Sequence, residues 1–545
     1  MNNLPPFETH NVDNQPPPFE PRDLWADDVV LREALVREGA AGFCPQVSRY
    51  ARLAGDELYR LGFDANRDKP RLKTHDRFGH RIDTVEFHPA YHRLMQAAME
   101  HGVAGLSWHE PRPGVQVARA ALSYLHHQVE AGTSCPLTMT HAAVPVLQRE
   151  PGLREWALKA AAPHYDPRDV PIADKPGVTL GMGMTEKQGG SDVRANATVA
   201  TPLAGEDGYS LIGHKWFLSA PMSDGFLVLA QAPGGLTCFL LPRRLDDGSK
   251  NAFRLMRLKD KLGDWSNASS EVEFCDARAR RVGAEGRGVA TIIEMVMFTR
   301  LDCMLGAAAE MRMALAQAIH HARHRRTFGK ALVEHALMRN VLADLALESE
   351  AALAFSLRVA RAAEAAPANA TEAAFARIAT AIGKYWLCKR APPFVNEAQE
   401  CLGGAGYIEE SILPRLYRQA PLNSIWEGSA NIQCLDVLRA LSREPETGAA
   451  LLTELEAVSG RDAVFDADVA KLRAALFAGS GEEIGARWLV ERLALALQAA
   501  VLLGFGSPAA SLFVRSRLGG EHGLAFGTLP ASDDVDVLIA RTLPR

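Results

Sequence analysis

The feature that most limits what this 545-residue chain can fold into is a change of hydrophobic period partway along it. From Leu24 to about Tyr165, Ala, Leu, Arg and Glu recur three and four apart, most clearly over Ala118–Val129, which predicts amphipathic helices. Prolines at 89, 111, 113, 136 and 145 punctuate them. From Val178 to about Asp276 the pattern becomes short and alternating or β-branched, over 178–184, 209–218, 226–231, 237–241 and 270–274. Asp207-Gly208 is a hairpin signal between two of these segments. From Val289 to Arg443 the helical period returns, with Leu337, Val341 and Leu345 on one face and only Gly306 breaking the run Arg300–Arg326. After Glu446, helices are predicted over 449–458, 466–477 and 482–503, before a Gly-rich tail. An order of helix, sheet, helix, helix predicts an α+β multidomain chain.

The prolines at 5, 6, 16, 17, 18 and 21 make the first residues an extended arm, loose on composition alone unless it wraps a neighbour. The expected division is therefore an arm at 1–23, an N-terminal α domain at 24–177, a central β-barrel or sandwich domain at 178–288, a helical bundle at 289–443 and a C-terminal helical extension at 444–545.

A net charge of −5 gives no global attraction to nucleic acid or to anionic lipid, so any polyanion site has to be a local patch. The longest apolar run, Leu493–Phe505, is shorter than the ~20 residues a bilayer span needs. The N-terminus shows no basic-then-apolar leader, and the eight cysteines contain no C-x-x-C pair. A cytoplasmic protein with reduced thiols, no membrane association and no metal is the expectation. His320 and His324 have a metal-compatible spacing but no carboxylate or cysteine pair beside them. Gly504-Phe505-Gly506-Ser507-Pro508-Ala509 has a dinucleotide-like form, yet it follows a helical segment rather than a strand.

Five runs carry possible chemistry. Gly183-Met184-Thr185-Glu186-Lys187-Gln188-Gly189-Gly190-Ser191-Asp192 ends a predicted strand in a glycine-rich loop, either a polar turn or a cradle for a phosphate or ring edge. Lys215-Trp216-Phe217-Leu218-Ser219 lies on a predicted strand, where Trp216 and Phe217 should face opposite sides. Arg325-Arg326-Thr327-Phe328-Gly329 follows the long helix, and its arginines suit a helix C-terminus or an anion. The fourth run is Glu400-Cys401-Leu402-Gly403-Gly404-Ala405-Gly406-Tyr407. In Asn423-Ser424-Ile425-Trp426-Glu427-Gly428-Ser429-Ala430-Asn431-Ile432, Glu427 is either a helix-start carboxylate or a base desolvated by Ile425 and Trp426.

These five runs together resemble the acyl-CoA dehydrogenase superfamily, over residues 24 to 443. The resemblance implies bound FAD, an acyl-CoA substrate, a homotetramer, and a reaction in which a base removes an α-proton while a β-hydride passes to the flavin. Glu427 falls on the base position, Arg300 on an arginine that orients it, and Thr299 on an alternative base position that is not acidic here. The thioester oxygen would be held by the Glu427 N–H and a flavin hydroxyl. The residues implied for the cofactor are Met182, Met184, Thr185, Gly190, Ser191, Phe217, Leu218, Ser219, Arg325, Thr327, Phe328, Gly404, Ile425, Trp426, Gly428, Ser429 and Asn431, with Arg325 and its neighbours reaching a partner subunit's FAD. The family often has an indole at Phe217, a glutamine at Glu400 and an acid at Gln419.

Glu8 to Pro16, Cys135-Pro136-Leu137-Thr138-Met139-Thr140 and Leu258-Lys259-Asp260-Lys261-Leu262-Gly263 resemble one branch in particular, the alkylation-inducible adaptive-response flavoproteins. That branch implies double-stranded DNA as a partner of the C-terminal extension, and weak dehydrogenase activity of the isovaleryl-CoA type. Residues 441–545 hold ten Lys and Arg against fourteen Asp and Glu, so duplex binding requires clustering of cations. The candidates are Lys471, Arg473, Arg487, Arg492, Arg515 and Arg517, whose other reading is ordinary solvated helix faces. The alternative overall reading is a metabolic short- or branched-chain enzyme whose extension serves assembly.

Overall fold

The computed structural model describes residues 9–205, 207–477, 483–532 and 534–543. Pro5, Pro6 and Glu8 lie outside the described residues. The arm from Asn14 onward is tied down rather than loose. The Asn14 amide donates to the Arg326 carbonyl at 2.8 Å, the Pro17 carbonyl is 2.8 Å from His320 Nε2, and the Phe19 ring packs on Tyr59 and His320. Composition could not show this, because every partner lies on the body of the protein.

The N-terminal region is helical apart from a hairpin, Arg71–His75 against Arg81–Glu86, that the periodicity did not announce. The Asp76 carboxylate builds its turn by accepting from the N–H groups of Phe78 and His80.

The central domain is a closed ring of strands. Gly225–Ala232, Val199–Pro202, Tyr209–Ser219, Ser269–Val282 and Gly235–Pro242 pair in that order and return to the first. Leu180–Gly183 runs parallel to Gly225–Ala232, and Phe253–Leu258 pairs with Ser269–Val282. Two of these strands, Val199–Pro202 and Phe253–Leu258, were not legible, since four residues give little alternation and Arg254 and Arg257 interrupt the second. The Asp207-Gly208 signal sits in a hairpin, with Pro202 opposite Tyr209. Leu211, Phe226, Val228, Phe239, Leu241, Phe253 and Phe274 fill the barrel. Leu227, Leu229 and Leu240 point outward into a second apolar cluster shared with the helices Ala131–Gln148, Arg154–Ala161 and the start of Gly288–His324. Burial on both faces explains why Phe226–Ala230 is one unbroken apolar run.

The helix Gly288–His324 is the spine of the bundle, packed by Val115–Val129, Ala336–Ala365 and Ala370–Glu400. On Ala336–Ala365, Leu345 is buried but Leu337 is 84% exposed, so the expected stripe does not reach the first turn. In the C-terminal extension, Pro445–Glu456, Ala463–Phe477 and Ala486–Phe505 are helical. Ala486–Phe505 belongs to the one described segment long and apolar enough to cross a membrane, yet it packs against the bundle helices and Ala430–Arg443. Gly506 ends it in a left-handed cap, φ 69°, as the glycine-rich run there requires. The Gly-rich tail beyond contains short helices, Ala510–Phe513 and Val535–Thr542.

Candidate active site

The glycine-rich loop leaves the barrel at Gly183 and folds into a tight turn, with Glu186 and Gly189 exchanging backbone hydrogen bonds at 3.2 and 3.1 Å. Three contacts hold it on the Tyr209–Ser219 strand. The Trp216 N–H donates to the Thr185 carbonyl at 2.8 Å, the Lys187 N–H meets His214 Nε2 at 3.0 Å, and the Lys215 ammonium pairs with the Glu186 carboxylate at 2.7 Å. Glu186 also accepts from the N–H groups of Ala197 and Thr198. Burial by itself would raise this carboxyl, but the hydrogen bonds from Lys215 and Thr198 and the Lys215 charge outweigh it, lowering it to about 2. Glu186, Lys215 and Asn196, whose amide holds the Met184 carbonyl at 2.9 Å, were not legible as site residues because their partners are brought in by the barrel.

The structure corrects one expectation about the strand. Pairing with Ser269–Val282 shifts register between Lys215 and Leu218, so the usual alternation fails there. The Lys259 ammonium lies 3.4 Å from the Trp216 ring centre and 4.5 Å from that of Phe217. The two rings therefore share a neighbourhood instead of facing opposite sides. Phe217 is 45% exposed, Leu218 is buried and Ser219 is half-buried. Met182 is buried, Met184 and Thr185 are half-buried, and Gly190 and Ser191 are exposed.

The catalytic-base candidate sits in a strained turn before the helix Ala430–Arg443. Glu427 has φ 58° and Gly428 φ 92°, two consecutive left-handed residues. A lattice of donors holds this backbone. Lys384 Nζ donates to the carbonyls of Trp426 and Gly428 at 2.7 and 2.5 Å, and Gln433 Nε2 to those of Glu427 and Gly428 at 3.0 and 2.9 Å. Arg300 Nε donates to the Glu427 carbonyl at 3.1 Å, while its Nη1 binds Asp436, which Arg377 also grips. The Glu427 side chain is fixed by Thr299, whose hydroxyl donates to Oε2 at 2.6 Å. Lys384, Gln433, Arg377 and Asp436 surround this turn although no motif marks them, and Thr299, marked only as a non-acidic alternative base position, bonds the carboxylate. The apolar cover expected over Glu427 is one-sided: Trp426 is half-buried, whereas Ile425 is 64% exposed.

Met182 and Met184, where the loop leaves the barrel, and Trp426, next to Glu427, belong to one extended apolar cluster that also holds Phe298, Cys135, Met139, Met295 and Val296. Of the other implied cofactor residues, Gly428 lies within the braced turn, and Ser429 and Asn431 are exposed at the helix start. Arg325 is half-buried and donates to the Asn14 carbonyl at 2.7 Å, Thr327 meets His335, and Phe328 is 98% exposed on a left-handed turn. Gly404 is exposed in the Gly403–Gly406 turn, and Glu400 is exposed before it. Gln419 is buried with its Nε2 unpartnered. His320 and His324 are engaged with backbone carbonyls, of Pro17 and His320 respectively.

The six C-terminal cations are not all available to a ligand. Arg517 is withdrawn into the protein, its guanidinium clamped by Asp344 and Glu348 with 6% of the side chain exposed, so it cannot reach a phosphate without breaking buried pairs. Arg492 pairs with Asp468, Arg515 with Glu521 and Arg473 with Glu456. Arg487 donates to Asn431 at 2.8 Å, and Lys471 is exposed.

The residues present fit a flavin. Gly190 and Ser191 of the loop are exposed, the strand that holds the loop carries the exposed ring of Phe217, and a Cβ at Gly190 would fall 2.7 Å from Thr185 Oγ1, so a side chain there would displace the Thr185 hydroxyl.

Comparison with known proteins agrees with this geometry. Residues 14–167 match the family described as Adaptive response protein AidB N-terminal domain. Residues 181–277 match the acyl-CoA dehydrogenase middle domain, and 286–442 the acyl-CoA dehydrogenase C-terminal domain. The chain is 48% identical, over 92% of its length and 93% of the relative's, to a protein of Escherichia coli (strain K12) described as "Putative acyl-CoA dehydrogenase AidB". It is 31% identical to acyl-CoA dehydrogenase family member 11 of Caenorhabditis elegans, over 83% of this chain and 76% of that one. The crystal structure of Caenorhabditis elegans ACDH-11 in complex with C11-CoA superposes with a TM-score of 0.86 at 26% identity, covering 97% of this chain and 95% of that one. The identity to an AidB protein over 92% of the chain, with three family domains matched in order, places the protein in the AidB-like branch of the acyl-CoA dehydrogenase family, the FAD-dependent oxidoreductases.

Proposed function

We propose that the protein dehydrogenates a short or branched acyl-CoA of the isovaleryl-CoA type, with Glu427 as the base. The observation that carries this reading is the bracing of Glu427: a carboxylate on a strained turn, hydrogen-bonded by Thr299, with its backbone held by Arg300, Lys384 and Gln433. So many donors spent on one turn hold a carboxylate to a fixed position, as abstraction of a weakly acidic α-proton demands. Bound FAD supplies the hydride acceptor. Met182, Thr185, Ser191 and Phe217 would hold it, with Glu186 and Lys215 keeping the loop in shape. Trp426, adjacent to the base and packed against the apolar cluster that contains Met139, is a bulky neighbour that suits a small acyl group.

The relationship to AidB proteins extends the proposal to a role in the adaptive response to DNA alkylation, with duplex DNA as a partner and a homotetramer as the working form. A second reading is favoured by the buried ties of the extension. Arg517, His522 and Gly527 all bond Asp344, and Ser507 and Arg541 bond Glu350, which suits a buttress for the bundle.

The test is anaerobic titration of the purified yellow protein with isovaleryl-CoA, followed by titration with duplex DNA across salt concentrations. Bleaching of the flavin supports the dehydrogenase reading. Duplex affinity that falls steeply with salt supports the DNA role, and none at low salt leaves the extension as a buttress.

A further inference from the structure

We propose that Thr299 is a positioning residue that anchors one oxygen of Glu427 and aims the other at the substrate, an inference that rests on the dehydrogenase reading above. Thr299 is 2% exposed and lies on the spine helix Gly288–His324, 128 positions from Glu427 in sequence. Its hydroxyl is 2.6 Å from Glu427 Oε2 and 3.1 Å from the Val296 carbonyl of its own helix. The helix carbonyl is already an acceptor within its ladder. A hydroxyl proton directed to the carboxylate therefore gives the stronger, charge-assisted bond. That bond occupies Oε2 and leaves Oε1 as the oxygen that turns to the substrate.

The remaining charged and titratable groups around Glu427 cannot do the same work. On the spine helix, Arg300 donates its Nε to the Glu427 backbone carbonyl and its Nη1 to Asp436, on the helix Ala430–Arg443. On the helix Ala370–Glu400, Lys384 is occupied by the carbonyls of Trp426 and Gly428, and Arg377 by Asp436. Cys135, on Ala131–Gln148, and Cys303, on the spine helix, face the carboxylate as buried thiols held neutral, since burial above all raises both. The threonine hydroxyl is thus the one donor hydrogen-bonded to the carboxylate itself among the described residues.

A carboxylate anchored at one oxygen keeps the other aimed, so losing the donor frees Glu427 to rotate away from the reacting proton. The experiment compares Thr299→Val, of nearly the same shape, with Thr299→Ser, which keeps the hydroxyl. In stopped-flow reduction of the bound flavin by isovaleryl-CoA, the rate constant of reduction should fall about tenfold in Thr299→Val, with KM unchanged, and return in Thr299→Ser. The hydrogen bond itself is read independently of turnover by infrared difference spectroscopy of the holoprotein, with Glu427→Gln as the reference. The carboxylate band should shift in Thr299→Val and return in Thr299→Ser. A Thr299→Val carboxylate band identical to that of the unaltered protein overturns the proposal. Should the unaltered protein fail to reduce its flavin with any acyl-CoA, the dehydrogenase reading falls, while the infrared comparison still decides the Thr299–Glu427 contact.

Discussion

Lys215 and Glu186 form a 2.7 Å ion pair with neither side chain exposed, and this pair fastens the glycine-rich loop to the strand that carries Phe217. Lys215 Nζ also donates to the Leu229 carbonyl at 2.7 Å, so it ties together two barrel strands and the loop. Removing one member strands the other in a dry site, whereas removing both does not.

Lys215→Met should therefore destabilise the protein by about 3–5 kcal/mol and release flavin, and the added change Glu186→Leu should recover much of the loss. Melting temperature and the ratio of flavin to protein absorbance check this. The pH dependence has a definite sign. Because the Glu186 carboxyl is lowered from its ordinary 4.5 to about 2, its stabilisation is whole above about pH 4.5 and is lost as pH falls toward 2. Glu186→Gln should flatten that part of the stability profile.

Glu427→Gln should keep the fold and the yellow colour but slow acyl-CoA-dependent flavin reduction by about 10²–10⁴-fold. The amide can still accept from Thr299, and the backbone donors from Arg300, Lys384 and Gln433 do not involve the altered group. A variant with undiminished reduction would remove Glu427 from the base position.

Arg517→Ala should loosen the C-terminal extension at a cost of about 3–5 kcal/mol, since it leaves Asp344 and Glu348 buried without their shared cation. Amide exchange in 507–541 reports this directly. Burial would raise both carboxyls. For Asp344 the His522 hydrogen bond and the Arg517 charge prevail, and for Glu348 the charges of Arg390 and Arg517, so both are lowered. Their contribution is complete above the ordinary carboxylate range and fades as pH falls below it, so the protection of this region, corrected for intrinsic exchange, should fall on acidification. Duplex DNA affinity, where present, should respond to Lys471→Ala and not to a charge-retaining Arg517→Lys.

The arm offers a further test. Asn14 receives the Arg325 guanidinium on its carbonyl and exchanges side-chain bonds with the Arg326 backbone, orienting the turn that ends at the fully exposed Phe328. Arg325→Ala should lower flavin occupancy and the oligomeric state together, and Asn14→Ala should do so more weakly, by about 1–2 kcal/mol. Sedimentation with simultaneous detection at the flavin band measures both. A monomer retaining full flavin would show that the turn serves neither.

By itself the sequence determined the helix–barrel–helix order, the glycine-rich loop, the ring-bearing strand and Glu427 as the candidate base, because each is written locally, in a period, a turn residue or a contiguous motif. It could not announce the strands Val199–Pro202 and Phe253–Leu258, the side-by-side placement of Trp216 and Phe217 at a register shift, or the burial of Arg517. Only the tertiary structure brought Thr299, Lys384 and Gln433 onto the turn at Glu427, two of them from other helices. The physical reason is that a carbonyl on a strained turn accepts from whatever donor packing delivers. Helix packing, not sequence proximity, decides which threonine or lysine that is.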